Sequence, residues 1–494
     1  MNHQKITALF LSLLMLAGLF CSCGEEQKPQ DKPAETTAAA EVTTEAAETV
    51  LTDGLPEVDM DGFVFSVYNN SKEKMTWTNT TLDVEQMDGD VLNDAIYLRN
   101  RAMEERFNFV MKVKSEGNQI KASEVAAEVM AGDSNFDLWF PRDYNVPQSI
   151  PYLRPLENLP YIDLEAEWWF PQASEVFKFN GQTYGGTSYY SLSPISRAAG
   201  FVFNEDMYEN IGAEKTPYEY VRSDTWTLER LHDIAKLCYA DLNGNNEMDD
   251  GDRFALASSW KEIYARFING SGICFIEKHG DGYPEFTLES DEAAVTKMLH
   301  IFELFNDPSI YRNKNTNMDT APTQTIADGT ALFALGHPNN MGGLYRTVEM
   351  NVGFVPCPKY DEKQERYYCT TWAGELMCIL KTLPDDRLEN VSIILEALSF
   401  DSAKEDGVMT IYKEVMMKGK YASNKNCEEM FDIVLDSLSF DFGIIAWEAQ
   451  IINPMIKSIY ASGEGNVVST LASMSPSING YIDELIANIE GNAA

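Results

Sequence analysis

Apolar and polar positions alternate in two registers along this chain. Residues 63–68, FVFSVY, form a strand-like run that ends in a turn at Asn69 and Asn70. Between residues 94 and 107, Ile96, Met103 and Phe107 recur at helical spacing with charges between them, and 109–113 reads as a second strand. Strand, helix, strand predicts a βαβ unit within an α/β lobe. Residues 120–130 form another amphipathic helix. Residues 136–140, FDLWF, predict a buried strand whose end delivers Pro141, Arg142 and Asp143. Ligands of open α/β sheets bind beyond the carboxyl ends of the strands, so Asn69, Asn70, Arg142 and Asp143 are expected on one shared edge.

Residues 152–170 run through Pro155 and Pro160 to the adjacent Trp168 and Trp169, which are expected to pack against their own lobe. Residues 182–193 set Tyr184, Tyr189 and Tyr190 around Gly185 and Gly186 and lead into the strand-like 200–203. Aromatics beside glycines at a crossover are candidates for a cleft. The short apolar run 331–335 breaks at Gly336, His337 and Pro338, which predicts a crossing between lobes.

The first residues have a different pattern. Residues 6–19 are apolar but short for a bilayer span, follow a single Lys5, and end in small residues and cysteines, the pattern of an export signal. The stretch 16–24, LAGLFCSCG, resembles a bacterial lipobox. Cys23, preceded by the small Ser22, suits lipidation better than Cys21, preceded by Phe20; a plain secretory signal is the alternative. Residues 25–52, rich in Ala, Thr, Glu and Pro, hold too little apolar surface to offset their ordering entropy and are expected to act as a tether. No later run is long enough to span a bilayer.

Composition narrows the class. Of 494 residues, more than four hundred follow the tether, and 44% of the whole is hydrophobic, enough for two lobes with cores of their own. A formal charge of -39 excludes a phosphate-backbone partner, which needs a basic footprint. Setting Cys21 and Cys23 aside leaves six cysteines without a CxxC pair, so zinc has no support. Cys357 and Cys369 flank 359–366 symmetrically about Lys363, and either a disulfide or a pair of buried thiols fits that spacing.

Residues 241–252, DLNGNNEMDDGD, offer oxygen donors at loop positions one, three, five, nine and twelve: Asp241, Asn243, Asn245, Asp249 and Asp252, with the Glu247 carbonyl at seven. A hard cation wants such a ring. Asn246 stands where the turn glycine is usual, and a terminal Asp replaces Glu, a variant that resembles dockerin loops. Structural calcium and a solvated acidic turn both remain open; no other cofactor is expected.

Five stretches, NGQTYGGTSYYSLS, FVFNEDMYENIG, TPYEYVRSDTWTLERLHDIAK, DLNGNNEMDDGDRFALAS and VGFVPCPKYDEKQERYYCTTW, occur in that order. Together they resemble the extracellular solute-binding lipoproteins of bacterial ABC importers, most closely the carbohydrate-type family 1 branch related to maltose-binding protein. The resemblance implies an α/β, two-lobed periplasmic-binding-protein-like fold of type II, with lobes joined by hinge strands and a helical C-terminal extension. It implies a signal peptide over 1–22, a tether over 23–53, a first lobe of 54–193 with 337–400, and a second lobe of 194–336 with 401–494. By order of alignment, the cleft would be lined by Tyr68, Asn69, Asn70, Phe140, Arg142, Asp143, Tyr189, Tyr190, Trp260, His337, Asn339, Trp372 and Phe442. Where the family often carries an aromatic after the Gly336 crossing, this chain has His337 and Asn339.

Sugars present C–H faces and a rim of hydroxyls, so such a cleft pairs flat rings with planar polar groups. The implied activity is that of a monomeric receptor on the outer face of the cell membrane, lipid-anchored, which closes on a carbohydrate and delivers it to an ABC permease. Rival readings are a peptide or other small-solute receptor, a glycoside-active enzyme, and a dockerin-like interaction module. The enzyme lacks a catalytic signature, since no GxSxG, HExxH or P-loop occurs, and the module lacks its second repeat.

Overall fold

The computed structural model describes residues 52–70, 81–115, 119–249, 251–307, 310–313, 320–343, 345–371, 374–462 and 466–493. The export signal, Cys23, the tether up to residue 51 and Trp372 lie outside the described residues. Residues 53–494 form one unit by their contacts.

The strands of its two main sheets are β1 (Phe63–Tyr68), β2 (Phe109–Lys114), β3 (Leu138–Trp139), β4 (Leu153–Arg154), β5 (Gly200–Asn204), β6 (Phe254–Ser258), β7 (Tyr311–Asn313), β8 (Ala331–Gly336), β9 (Val352–Pro356) and β10 (Ile379–Leu380). The main helices are α1 (Val91–Phe107), α2 (Ala122–Ala131), α3 (Leu228–Cys238), α4 (Trp260–Gly270), α5 (Glu292–Phe305), α6 (Asp385–Ala403), α7 (Phe442–Trp447), α8 (Asn453–Ser462) and α9 (Val467–Ala493).

The predicted βαβ unit is present. In β1, Phe65 and Val67 are buried while Val64 faces out, and β1 pairs in parallel with β2. Helix α1 begins three residues before the expected start because the Asp90 carboxylate accepts from the Leu92 and Asn93 backbone N–H groups at 3.0 and 3.2 Å. It ends at Asn108, whose φ of 52° turns the chain back into β2. β3 joins β1 in parallel, and the Trp139–Cys378 bridge brings β10 beside it, antiparallel, with β4 paired to β10. The first lobe therefore runs β2-β1-β3-β10-β4.

The second sheet repeats this plan. Its order is β7-β6-β8-β5-β9, with β7, β6 and β8 parallel and β5 antiparallel to both its neighbours. In each lobe the antiparallel fourth strand directly follows a passage of the chain from the other lobe. The result is two doubly wound sheets joined by crossings near residues 191–199 and 369–377. Ala199 donates its N–H to the Thr370 carbonyl at 3.0 Å, so the two crossings run side by side.

The second crossing corrects the expected boundary at 337. Gly336, His337 and Pro338 do end a strand, but a short helix, Pro338–Gly342, follows. The chain then forms β9, which pairs with β5 over five residues. First-lobe pairing resumes only at Glu375, opposite Arg142. A helix-starting proline and a crossing give the same local signal, and only the pairing of β9 separates them.

Phe65, Phe107, Leu138, Phe140 and Ile394 lie in one core. Phe201, Phe203, Leu256, Phe267 and Phe333 lie in the other, which extends through the crossings. Trp168 and Trp169 pack within the first lobe, as expected, and both indole N–H groups donate to the Glu396 carboxylate, at 2.6 and 2.9 Å. Glu396 is buried on α6. Glu396→Ala is expected to destabilise the protein by about 3 kcal/mol, since two buried donors lose their acceptor. Glu396→Gln, which keeps one carbonyl oxygen, should cost about half of that; urea unfolding followed by tryptophan fluorescence checks both.

Cys357 and Cys369 are free and buried, with the Cys369 thiol resting against Cys357. No hairpin joins them: Cys357 follows β9, and Cys369 pairs with Leu438. The C-terminal helices form the expected extension, with α9 packed on α5 and α8 and also on the segments Val146–Ser149 and Ile150–Tyr152 of the first lobe. Among the described residues no helix is long and apolar enough to cross a membrane.

Candidate functional site

Both sheets present the carboxyl ends of their parallel strands, and these edges carry the chemistry. At the end of β1, Asn69 donates its N–H to the Lys114 carbonyl at 2.9 Å. Asn70 is fully buried, donates from Nδ2 to the Phe140 carbonyl at 2.9 Å, and accepts the Ile120 N–H at 2.8 Å. Its amide ties three segments of the first lobe together. After β3 the chain places Arg142 beside Asp143, its guanidinium 3.6 Å from the Asp143 carboxylate and 3.6 Å from Glu375. The Asp143 N–H donates to the Gly374 carbonyl at 2.9 Å, and Ser193 Oγ donates to Glu375 at 2.5 Å. First lobe and both crossings thus meet at one buried ionic cluster.

Arg142 Nε, Asp143 Oδ2 and Glu375 Oε1 have no hydrogen-bond partner among the described residues. Buried polar atoms are nearly always satisfied, so this cluster has hydrogen-bonding capacity to spare. The extra carboxylates leave their mark. Burial pushes the Asp143 carboxyl up to about 6, with Glu375 and Glu448 adding to the rise and Arg142 and the Tyr144 N–H opposing it.

In the second lobe, β6 ends at Ser258, whose Oγ accepts the Leu335 N–H at 2.8 Å. Trp260 opens α4 and stacks on Tyr460, ring centroids 6.1 Å apart. β8 ends at Gly336, where a Cβ would lie 2.4 Å from the Val202 side chain, so only glycine fits. His337 follows, buried, with Nε2 3.5 Å from the Arg197 guanidinium. Burial first, then the Arg197 and Arg266 cations, push its pKa well below the usual histidine range, so it is neutral at pH 7. Asn339 is half-buried on the following helix.

The other expected residues divide. Phe140 and Tyr190 lie in the first core with their rings 6.1 Å apart, and the Arg99 guanidinium covers Tyr190. Phe442 packs against Phe177, Phe179 and Trp447. Phe140 and Tyr190 are covered by the first core, whereas Phe442, though mostly buried, also lines a small cavity with Asp441 and Lys278. Tyr68 stacks on Phe136 at 4.9 Å, and Tyr189 lies between Phe170 and Lys413. Glu375 and Ser193 join the Arg142 cluster without having been singled out, Arg197 lies against His337, and Asp441 lines a small cavity with Phe442. Asp441 caps α7, accepting from the Ile444 and Phe275 N–H groups at 2.8 Å each. Burial pushes its carboxyl up to about 6 as well, against those hydrogen bonds and Arg266.

Two raised carboxyls have a signed consequence. A folded-state value near 6 against about 4 unfolded means that the folded protein holds these protons longer. The stability they contribute is full below about pH 4 and is lost as pH rises to about 6. The melting temperature is therefore expected to fall between about pH 4 and 6, and Asp143→Asn should flatten that slope. Measurements in high salt separate this from relief of the general acidity.

Among the described residues of 241–252, side-chain oxygens cap the backbone. Asp241 accepts the Gly244 and Asn246 N–H groups at 2.6 and 2.8 Å, Asp252 accepts that of Leu242 at 2.8 Å, and Asn246 takes a φ of 62°. The donors are hard oxygens in kind, but the Asn243 and Asn245 amides donate to Asp249. Among the described residues no three His, Cys, Asp or Glu side chains converge as metal ligands. The loop joins α3 to β6 on the far side of the lobe from the β6 carboxyl end.

No family model matches the chain, and no curated protein matches it in sequence. Solved structures do. An ABC substrate-binding protein from Listeria monocytogenes in complex with cycloalternan superposes with a TM-score of 0.54 at 13% identity, covering 86% of this chain and 100% of that one. The chain has the fold of the extracellular solute-binding proteins. The galacto-N-biose/lacto-N-biose I-binding protein of Bifidobacterium longum, in complex with lacto-N-biose, gives 0.55 at 11% identity, over 86% and 98%. UgpB from Mycobacterium tuberculosis, in complex with glycerophosphocholine, gives 0.54 at 14%, over 85% and 98%.

Proposed function

We propose that the chain is a receptor that captures an extracellular oligosaccharide between its lobes and passes it unchanged to the permease of an ABC importer. On this reading it is a monomer held at the outer face of the cell membrane by a lipid on Cys23. The observation that carries the proposal is the Arg142–Asp143–Glu375 cluster, where a planar guanidinium and two carboxylates at the strand edge keep unused donors and acceptors. Such a fork bonds paired hydroxyls. Closure follows when one ligand touches both lobes, because only differential contact shifts the equilibrium.

The test is a screen of melting shifts over neutral oligosaccharides, with recovered ligand checked by chromatography. A shift with intact ligand supports the receptor; no shift with any sugar, or a cut product, overturns it. A second small solute belongs in the panel. UgpB was crystallised with glycerophosphocholine, and Arg197 beside His337 offers a cation for a phosphodiester.

Calcium in the loop 241–252 is a separate proposal, motivated by its oxygen donors and by Asn246 in the left-handed conformation. Binding would turn the asparagine carbonyls inward and fasten α3 to β6. A melting temperature several degrees higher in calcium than in chelator is expected, and an unchanged value removes the site.

A further inference from the structure

Two hairpin turns, one from each lobe, meet tip to tip. The first lobe contributes the strand pair Lys178–Phe179 and Gln182–Thr183, joined by Asn180 and Gly181 at φ 51° and 77°. Two successive left-handed residues are what a tight two-residue hairpin turn requires. Thr183 fixes this hairpin to its lobe, donating its N–H and hydroxyl to Glu157 at 2.8 and 2.6 Å. The second lobe contributes the turn closed by the Glu277–Glu285 bridge, with Gly282 donating to the His279 carbonyl at 3.0 Å.

Across the gap, the Asn180 N–H donates to the Asp281 carbonyl and Asn180 Nδ2 to the Tyr283 hydroxyl, each at 2.8 Å. Lys278 Nζ donates to the Glu175 carbonyl, also at 2.8 Å, and lies 5.2 Å from the Phe179 ring. The Phe179 and Tyr283 rings stack at 6.3 Å. Asn180, Asp281 and Tyr283 lie outside the strand edges that would hold a solute, while Lys278 and Glu175 line a small cavity with Asp441 and Phe442.

We propose that these two hairpins form a latch that holds the lobes together without ligand, so that affinity is set in part by contacts the ligand never touches. The inference rests on the two-lobed receptor reading and adds its regulation. Apparent affinity scales with the fraction of protein already in the binding-competent state. Each hydrogen bond across the latch raises that fraction, and breaking the set lowers it while leaving the strand edges intact.

The double variant Asn180→Gly, Lys278→Met removes both side-chain bonds while keeping the left-handed turn. Tyr283→Phe is the conservative second variant, losing only the acceptor for Asn180 Nδ2. Small-angle scattering of ligand-free protein is expected to give the wild type a radius of gyration equal to its ligand-saturated value. The double variant should be larger and return to that value on ligand addition, with affinity lowered about tenfold and Tyr283→Phe in between. Equal ligand-free dimensions in wild type and double variant, or a wild type that contracts on ligand binding, overturn the latch and leave the receptor reading standing. If no solute in the panel binds, the receptor reading fails, and the ligand-free comparison still decides the latch. A circular-dichroism melt separates a released latch from a misfolded variant: only a cooperative transition in the double variant counts as support.

Discussion

A chain ending at Ser462 is expected not to fold. It would lack α9, whose Val467, Leu471, Ile478, Ile482, Leu485 and Ile489 are all buried along one stripe. Burying an aliphatic side chain of this size is worth about 1.5–3 kcal/mol, so six of them amount to about 9–18 kcal/mol. Whole domains are stable by only about 5–15 kcal/mol. The loss falls on both lobes, because α9 packs on α5 and α8 in one and on Val146–Ser149 and Ile150–Tyr152 in the other. Tyr481 also leaves the Trp447 ring, 6.1 Å away. Circular dichroism and limited proteolysis of the truncated chain check this; a cooperative melt within a few degrees of the intact protein would make α9 an appendage.

Arg142→Met is expected to cost about 3–5 kcal/mol of stability, the usual effect of breaking a buried ionic arrangement by removing one side. Asp143 and Glu375 would remain buried, facing each other with Glu448 nearby and no guanidinium between them. Neutralising both carboxylates in the same chain, with Asp143→Asn and Glu375→Gln, should restore most of the loss, since the cost lies in unpaired charge. Solute affinity, by contrast, should stay about a hundredfold or more below wild type, at about 1.4 kcal/mol per tenfold, because the fork is gone. Arg142→Lys keeps the charge but loses the planar fork, so stability should largely survive while affinity falls. Urea unfolding and calorimetric titration separate the two effects; if binding recovers along with stability, Arg142 is only a structural counter-ion.

Much of the first lobe was legible in the residues. Periodicity placed β1, α1, β2 and α2, and the end of the third predicted strand placed Arg142 and Asp143 directly after β3. The paired tryptophans were read correctly as internal packing, though nothing local named Glu396 as their acceptor. The position of the 241–252 loop between α3 and β6 was also legible. The FDLWF strand is pared to Leu138–Trp139, although the Asp137 and Phe140 N–H groups still donate to the Ser66 and Tyr68 carbonyls at 2.8 and 2.9 Å.

The chain by itself determined which segments become strands and helices and which side chains carry charge, because alternation, helical spacing and capping act within a few residues. Only the tertiary structure decided that Glu375 faces Arg142, that β9 stays in the second sheet, and that Phe140 and Tyr190 are core. Those outcomes depend on partners far away in the chain, and the same aromatic or carboxylate is core, counter-ion or ligand contact according to what folds against it.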